Sequence, residues 1–478
     1  MTNEDLCYLS ATNALALFKK RRLSPVDLIS ALIARIERFQ PKINCFTDTY
    51  FDEAMEKAKA AQEKFTKRGA KRGALEGLPL AVKDAQRVKG KRTTYGSLIF
   101  MENIDSHSDP MIERLENAGG IIFGRTTTPE FCLSGICRSR AWGNTLNPWN
   151  TNHGPGGSSG GSGAALAAGL TTLATGTDIS GSIRIPSSAC GTVGFKPPHG
   201  RNPDGPPSNF DRFNHCGPMT RSIADAALMQ SVTAGPHPLD HDSLRQTVRL
   251  PAKPAAIKGL KVAYSIDYGY VPVNPDVRRN TLAAVDVFKS LGARVTEVEL
   301  GWTSDVDTDA MHWYNAMHFG RQTVWWRKTH SHLMTDYALN FAEAAETNTT
   351  MDDVHKPWER AQKMYETLGP ILDKYDVFIC PTNNLPAVPA EHDPWNTDFT
   401  VNGIKADPEF GWVMTHPFNM LHNLPVLAVP SGFSLSGIPT GIQIVARSWD
   451  DARVFRAGLA YEKAAGGWFT SKAKRPAI

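Results

Sequence analysis

At 478 residues, with 41 % hydrophobic and 21 % charged side chains, the chain has material for a large buried core and one to three domains. A net charge of +4 is small for this length and gives no case for a nucleic-acid partner or an acidic membrane surface. No stretch approaches the ~18 uninterrupted apolar residues of a membrane span.

The N-terminus, MTNEDLCYLSATNALALF, carries acids early and only a brief apolar run, unlike a secretory signal. Its KKRR run, Lys19–Arg22, is short and reads as a solvated turn before a helix. That helix opens at Ser24-Pro25-Val26-Asp27, which supplies a capping hydroxyl, a first-turn proline and an acid at the positive helix end. Ile29, Leu32, Ile33 and Ile36 then recur with helical period and mark one buried face. A second helix, rich in alanine and lysine, is expected from Asp52 to Phe65. These helices form an expected N-terminal layer over residues 1–70, continuous with a body over 71–478.

From about residue 75 the pattern alternates between strand and helix. Leu78–Val82 is a short apolar run. A helix over Asp109–Ala118 stops at Gly119-Gly120 and leads into a buried strand at Ile121–Phe123. Further strands are expected at Leu260–Tyr264, Arg294–Leu300, Val377–Cys380, Val426–Val429 and Gly441–Val445. Helices are expected at Pro275–Leu291, capped by Asn274, and at Asp451–Glu462. Such alternation implies an α/β fold with helices on both faces of a sheet. There is no internal repeat and no clean linker, so one large domain is expected. Gly200–Phe213 and Pro386–Phe410 are long Pro/Asn/Asp-rich loops, the kind that carry function in compact domains.

The seven cysteines, Cys7, Cys45, Cys132, Cys137, Cys190, Cys216 and Cys380, are odd in number and scattered. That pattern argues for free thiols in a reducing, cytoplasmic compartment. Cys132 and Cys137 have no neighbouring Cys pair and no histidine at zinc-ligand spacing, so they read as buried thiols and not as a metal site.

The most informative stretch is Gly154–Cys190, GPGGSSGGSGAALAAGLTTLATGTDISGSIRIPSSAC. Two Ser-Gly clusters, GGSSGG with Ser158 and DISGSIR with Ser182, are joined by a small-residue helix and a short strand. GGSSGG alone reads equally as a flexible loop or a phosphate cradle, but the Gly-Lys-Ser/Thr ending of a phosphate loop is missing. A serine hydroxyl needs a base to become a nucleophile. None of the fourteen histidines sits in these clusters, so a lysine must supply the base if one is present. Lys83, in GLPLAVKD, stands at the end of an apolar run. Holding a lysine neutral near physiological pH costs about 4.6 kcal/mol, and full burial lowers its pKa by as much as ~3–5 pH units, which is enough. Asp84 would oppose this by holding the lysine charged, and the sequence leaves open which effect wins.

Lysine and two serines in this order resemble the amidase signature family of serine hydrolases. The resemblance extends over nearly the whole chain, through GRTTTPEF at Gly124–Phe131, NPWN at Asn147–Asn150, GFKPPHGR at Gly194–Arg201 and GIPTGIQIVARSWDD near the end. It implies a single α/β domain with a twisted mixed sheet enclosed by helices. It also implies that Ser158 follows a cis peptide bond and relays a proton between Lys83 and the nucleophile Ser182. The backbone N–H groups of Ile179, Ser180, Gly181 and Ser182 would hold the oxyanion, with Asp178 and Arg184 as a supporting ion pair. Ser180 stands where family members usually carry glycine.

The implied reaction is acyl transfer to water through an acyl-enzyme, on a small-molecule carboxamide, aryl amide or carbamate (urethane), with no metal or organic cofactor. Trp302, Trp313, Tyr314, Phe319, Trp325 and Trp326 concentrate aromatics in a segment that matches the family poorly. They read first as core and second as pocket wall, and so lean toward a bulky, partly apolar substrate. The rivals are a glutaminase subunit of a tRNA-dependent amidotransferase and an inactive amidase-fold binding protein. A homo-oligomer is left open.

Overall fold

The computed structural model describes residues 2–318 and 320–478. Among them, eleven strands build one mixed sheet. In chain order they are β1 (Phe46–Thr49), β2 (Pro79–Lys83), β3 (Ile121–Thr126), β4 (Leu173–Asp178), β5 (Val193–Lys196) and β6 (His215–Thr220), followed by β7 (Lys261–Tyr264), β8 (Arg294–Glu297), β9 (Val377–Pro381), β10 (Val426–Phe433) and β11 (Pro439–Val445). Their spatial order is β1-β3-β2-β4-β6-β5-β10-β11-β9-β7-β8.

Pairing is parallel among β3, β2 and β4, and again among β9, β7 and β8, while the strands between these groups are antiparallel. Every residue of β2, β9 and β11 is buried, so both faces of the sheet are covered, as an α/β domain requires. The register places Leu80 beside Leu173, so β2 and β4 run side by side and end at the same edge of the sheet. Lys83 is the last residue of β2 and Asp178 the last of β4.

The helix expected at Ser24 spans Pro25–Ile43, with a reciprocal capping box between Ser24 and Asp27. It is not the first, because Asn3–Cys7 and Ala11–Lys19 precede it. The N-terminal segment also differs from a purely helical layer: β1 pairs antiparallel with β3 and extends the main sheet. Arg294–Leu300 is strand only to Glu297, whereas β10 runs on to Phe433.

The largest difference lies between β8 and β9, where helices Asp305–Trp313, Gly320–His330, Asp336–Asn348 and Met351–Lys374 are inserted. A π-helical turn, Tyr314–His318, follows the first of them. Pro357 and Pro370 sit inside Met351–Lys374 and hide that helix from a sequence reading that treats proline as a breaker. No described helix is long and apolar enough to cross a membrane.

Candidate active site

The small residues of the Ser-Gly stretch let helix Gly160–Ala167 bury completely against the sheet beside β2 and β4. This brings Ser158 over the end of β2. The Gly157–Ser158 peptide bond is cis. Gly157 is pressed against the neighbouring chain so closely that a Cβ there would lie 2.1 Å from the Ile136 carbonyl oxygen. Only glycine fits that approach.

Lys83 is fully buried, and its Nζ lies 2.6 Å from Ser158 Oγ and 2.7 Å from Thr177 Oγ1. Burial pushes the Lys83 pKa down, with the Cys132 and Cys137 sulfurs and the Asp178 carboxylate opposing. Asp84 does not act on Lys83 as its position in sequence suggested. Its carboxylate accepts from the Thr94 backbone N–H (3.0 Å) and hydroxyl and lies 3.6 Å from Arg125. Burial raises Asp84 to about 6, against the pull of Arg125.

Ser182 is 6 % exposed, two residues before the start of helix Arg184–Cys190, and its carbonyl accepts the Ser159 N–H at 3.2 Å. The hydroxyls of Ser158 and Ser182 are not joined by a direct hydrogen bond among the described residues. The N–H groups of Ile179, Ser180 and Ser182 meet no acceptor there either. Gly181 departs from the sequence expectation, because its N–H already donates to Asp178 Oδ1 at 2.9 Å. Gly181 holds φ at 118°, and a Cβ there would stand 1.9 Å from Thr415 Oγ1. The Ser180 hydroxyl is buried near the Tyr314 phenol, without a well-formed hydrogen bond among the described residues.

Asp178 and Arg184 form the expected ion pair, bidentate at 2.8 and 2.9 Å and fully buried. Burial by itself would raise the Asp178 carboxyl. The Arg184 charge and the hydrogen bonds from Arg184 and Asn419 overcome this and hold it far below the usual carboxylate range. Arg184 also donates to the Thr415 carbonyl (2.8 Å), Gln443 Oε1 (2.7 Å) and Asn419 Oδ1 (2.6 Å).

A cavity of about 570 Å³ opens over Ser158, Thr177 and Ile179. Its apolar walls include Tyr95, Phe100, Phe131 and Phe210, and an Arg87–Asp109 ion pair at 2.8 Å also lines it. Cys132 also lines it and is half-buried, not a buried thiol like the other six cysteines. No disulfide links the seven. Among the described residues, no cluster of His, Cys, Asp and Glu is arranged to hold a metal.

The aromatic segment, read first as core and second as pocket wall, is mostly core. Trp302, Trp313 and Tyr314 are buried, and Trp325 is 54 % exposed. Trp326 reaches the cavity only through an edge contact with Phe100, ring centres 5.2 Å apart. Phe319 lies outside the described residues. The wall comes mainly from loops after β2 and β3 and from the Gly200–Phe213 loop, whose length and Pro/Asn/Asp-rich composition were its signals in sequence, with Met317 of the π-helical turn added to them.

Residues 27–455 match the Amidase family. The chain belongs to that family. An acylamidase of Rhodococcus erythropolis is 34 % identical over 467 residues, covering 97 % of this chain and 96 % of that one. A glutamyl-tRNA(Gln) amidotransferase subunit of Geobacter metallireducens is 30 % identical over 484 residues, covering 95 % and 96 %. The crystal structure of a bacterial aryl acylamidase of the amidase signature enzymes superimposes with a TM-score of 0.89 at 27 % identity, covering 96 % of each chain. This amidase is a hydrolase of carbon–nitrogen bonds in non-peptide amides.

Replacing Asp178 by Asn leaves Arg184 buried without its counter-charge. Chemical denaturation of Asp178→Asn is expected to lose about 3–5 kcal/mol of stability relative to the parent chain.

Proposed function

We propose that this amidase works as a serine amidohydrolase with Ser182 as nucleophile, Ser158 as proton bridge and Lys83 as base. The observation that carries the reading is the 2.6 Å contact between Lys83 Nζ and Ser158 Oγ in a site where burial favours the neutral amine. Ser182 Oγ attacks the carbonyl carbon while its proton passes through Ser158 to Lys83. The N–H groups of Ile179, Ser180 and Ser182 stabilise the oxyanion, each worth ~2.7–4 kcal/mol by analogy with other hydrolases. The tetrahedral adduct collapses, the amine leaves with the proton returned through Ser158, and water then releases the acyl group by the same relay.

The substrate class is a carboxamide or carbamate carrying an aryl or bulky apolar group. The aromatic wall of Tyr95, Phe100, Phe131 and Phe210 supports this, as does likeness to proteins named acylamidase and aryl acylamidase. A glutaminase role is the second reading, favoured by likeness to a glutamyl-tRNA(Gln) amidotransferase component. The purified chain, assayed on chromogenic anilides, aryl carbamates and glutamine, decides between them. Turnover of glutamine alone would overturn the first reading. Failure of all three, together with no labelling of Ser182 by a sulfonyl fluoride, would leave a binding protein.

Ser182→Ala is expected to abolish turnover with an unchanged unfolding curve, and Ser158→Ala to slow kcat/KM by at least ~10²-fold. A near-normal Ser158→Ala rate would remove the bridge. Lys83 acts in its uncharged form, and burial moves its titration below that of free lysine. The rate of the chemical step should therefore rise with pH as Lys83 loses its proton and level off above that point. A flat profile with chemistry rate-limiting would count against this base.

A further inference from the structure

We propose that Tyr314 is a positioning residue that aims the Ser180 N–H at the oxyanion by holding the far side of the same peptide unit. The inference rests on the reading above and adds to it a residue that lies far from the Ser-Gly stretch in sequence.

Its hydroxyl donates to the Ile179 carbonyl at 3.0 Å. The Ile179 carbonyl and the Ser180 N–H belong to one planar peptide group and point in opposite directions, so fixing the first fixes the second. A hydrogen bond to the carbonyl also polarises the peptide and strengthens its N–H as a donor.

The next peptide group makes the contrast. Its carbonyl, on Ser180, accepts from Thr415 Oγ1, and its N–H, on Gly181, donates to Asp178. That unit is tied at both ends and has nothing left to offer a substrate. The Ile179–Ser180 unit is tied at the carbonyl only, and its N–H meets no acceptor among the described residues. One end is anchored and the other is presented.

Tyr314 opens the π-helical turn Tyr314–His318, directly after helix Asp305–Trp313. Such a turn inserts one residue into helical geometry and shifts the direction of the side chains it carries. The ring is buried and packs against Phe410, centres 5.8 Å apart. Burial raises the phenol far above its ordinary range, so it remains a donor across the working pH range. Tyr314 also lines a second cavity of about 330 Å³, with Phe410 and His416.

The test uses the full chain with Tyr314→Phe and, by site-specific incorporation, 3-fluorotyrosine at position 314. Rates are normalised to sites titrated with a sulfonyl fluoride. Tyr314→Phe is expected to lower kcat by about 10-fold or more with KM within about 2-fold, as loss of a transition-state interaction does. Its affinity for a trifluoromethyl ketone, which forms a tetrahedral adduct on serine, should fall by a similar factor. The fluorinated phenol, a stronger donor of nearly the same size, should retain at least the parent kcat. It keeps the question answerable if the phenylalanine variant does not fold.

An unchanged kcat in Tyr314→Phe would overturn the proposal, as would a raised KM with kcat intact. A 3-fluorotyrosine enzyme slower than the parent would also overturn it. Ser182→Ala run in parallel separates the two levels. An active Ser182→Ala sinks the mechanism itself, whereas an inactive one beside a normal Tyr314→Phe sinks only the role of Tyr314.

Discussion

The Asp178 carboxylate holds the site together. It takes five hydrogen bonds: two from Arg184, one each from the Gly181 and Ile183 N–H groups, and one from Asn419. Burying two opposite charges is favourable only when nearly every lone pair and proton is satisfied, and here the pair is embedded in that way. Through Arg184 the network reaches Thr415 and Gln443, so the end of β4, the loop before helix Arg184–Cys190, the segment before β10, and β11 are locked as one unit. The loop from Ile179 to Ser182 has its shape because Asp178 draws Gly181 inward.

Beside this fixed loop lies Lys83, the base of the proposed relay. An ammonium ion in a fully buried position loses its hydration, and two hydroxyls, Ser158 and Thr177, replace only part of it. The nearest acid in sequence, Asp84, gives no relief because it is turned to Thr94 and Arg125. Burial therefore outweighs pairing and lowers the Lys83 pKa, which is what the proposed relay asks of its base. The same parallel arrangement of β2 and β4 that buries Lys83 puts it beside Thr177 and the start of the Ile179–Ser182 loop.

Much of this was legible in the chain. The alternation of strand and helix, the capped helix at Ser24 and the Lys83, Ser158 and Ser182 set are local signals, carried by contiguous residues with strong backbone or chemical preferences. The inserted helices between β8 and β9 were not legible, because prolines interrupt Met351–Lys374 and the aromatic residues there follow no clean period. The aromatic residues of that segment read first as core and second as pocket wall, and Trp302 and Trp313 are core. Trp302 and Trp313 have the composition of a ligand wall, but only packing decides whether an aromatic ring faces a core or a cavity.

The sequence by itself singled out Lys83, Ser158 and Ser182 as candidates and roughly which elements present them, because glycine-dependent turns, short buried strands and a lysine ending an apolar run are encoded over a few residues. Tertiary structure alone decided the protonation bias of Lys83, the engagement of the Gly181 N–H, the aromatic surface above Ser158 and the contact of Tyr314 with Ile179. Those depend on desolvation and on partners distant in the chain, such as Thr415 bonding to Ser180 across 235 positions. Local preference has no access to such distances; only the folded packing brings the two ends together and removes the water between them.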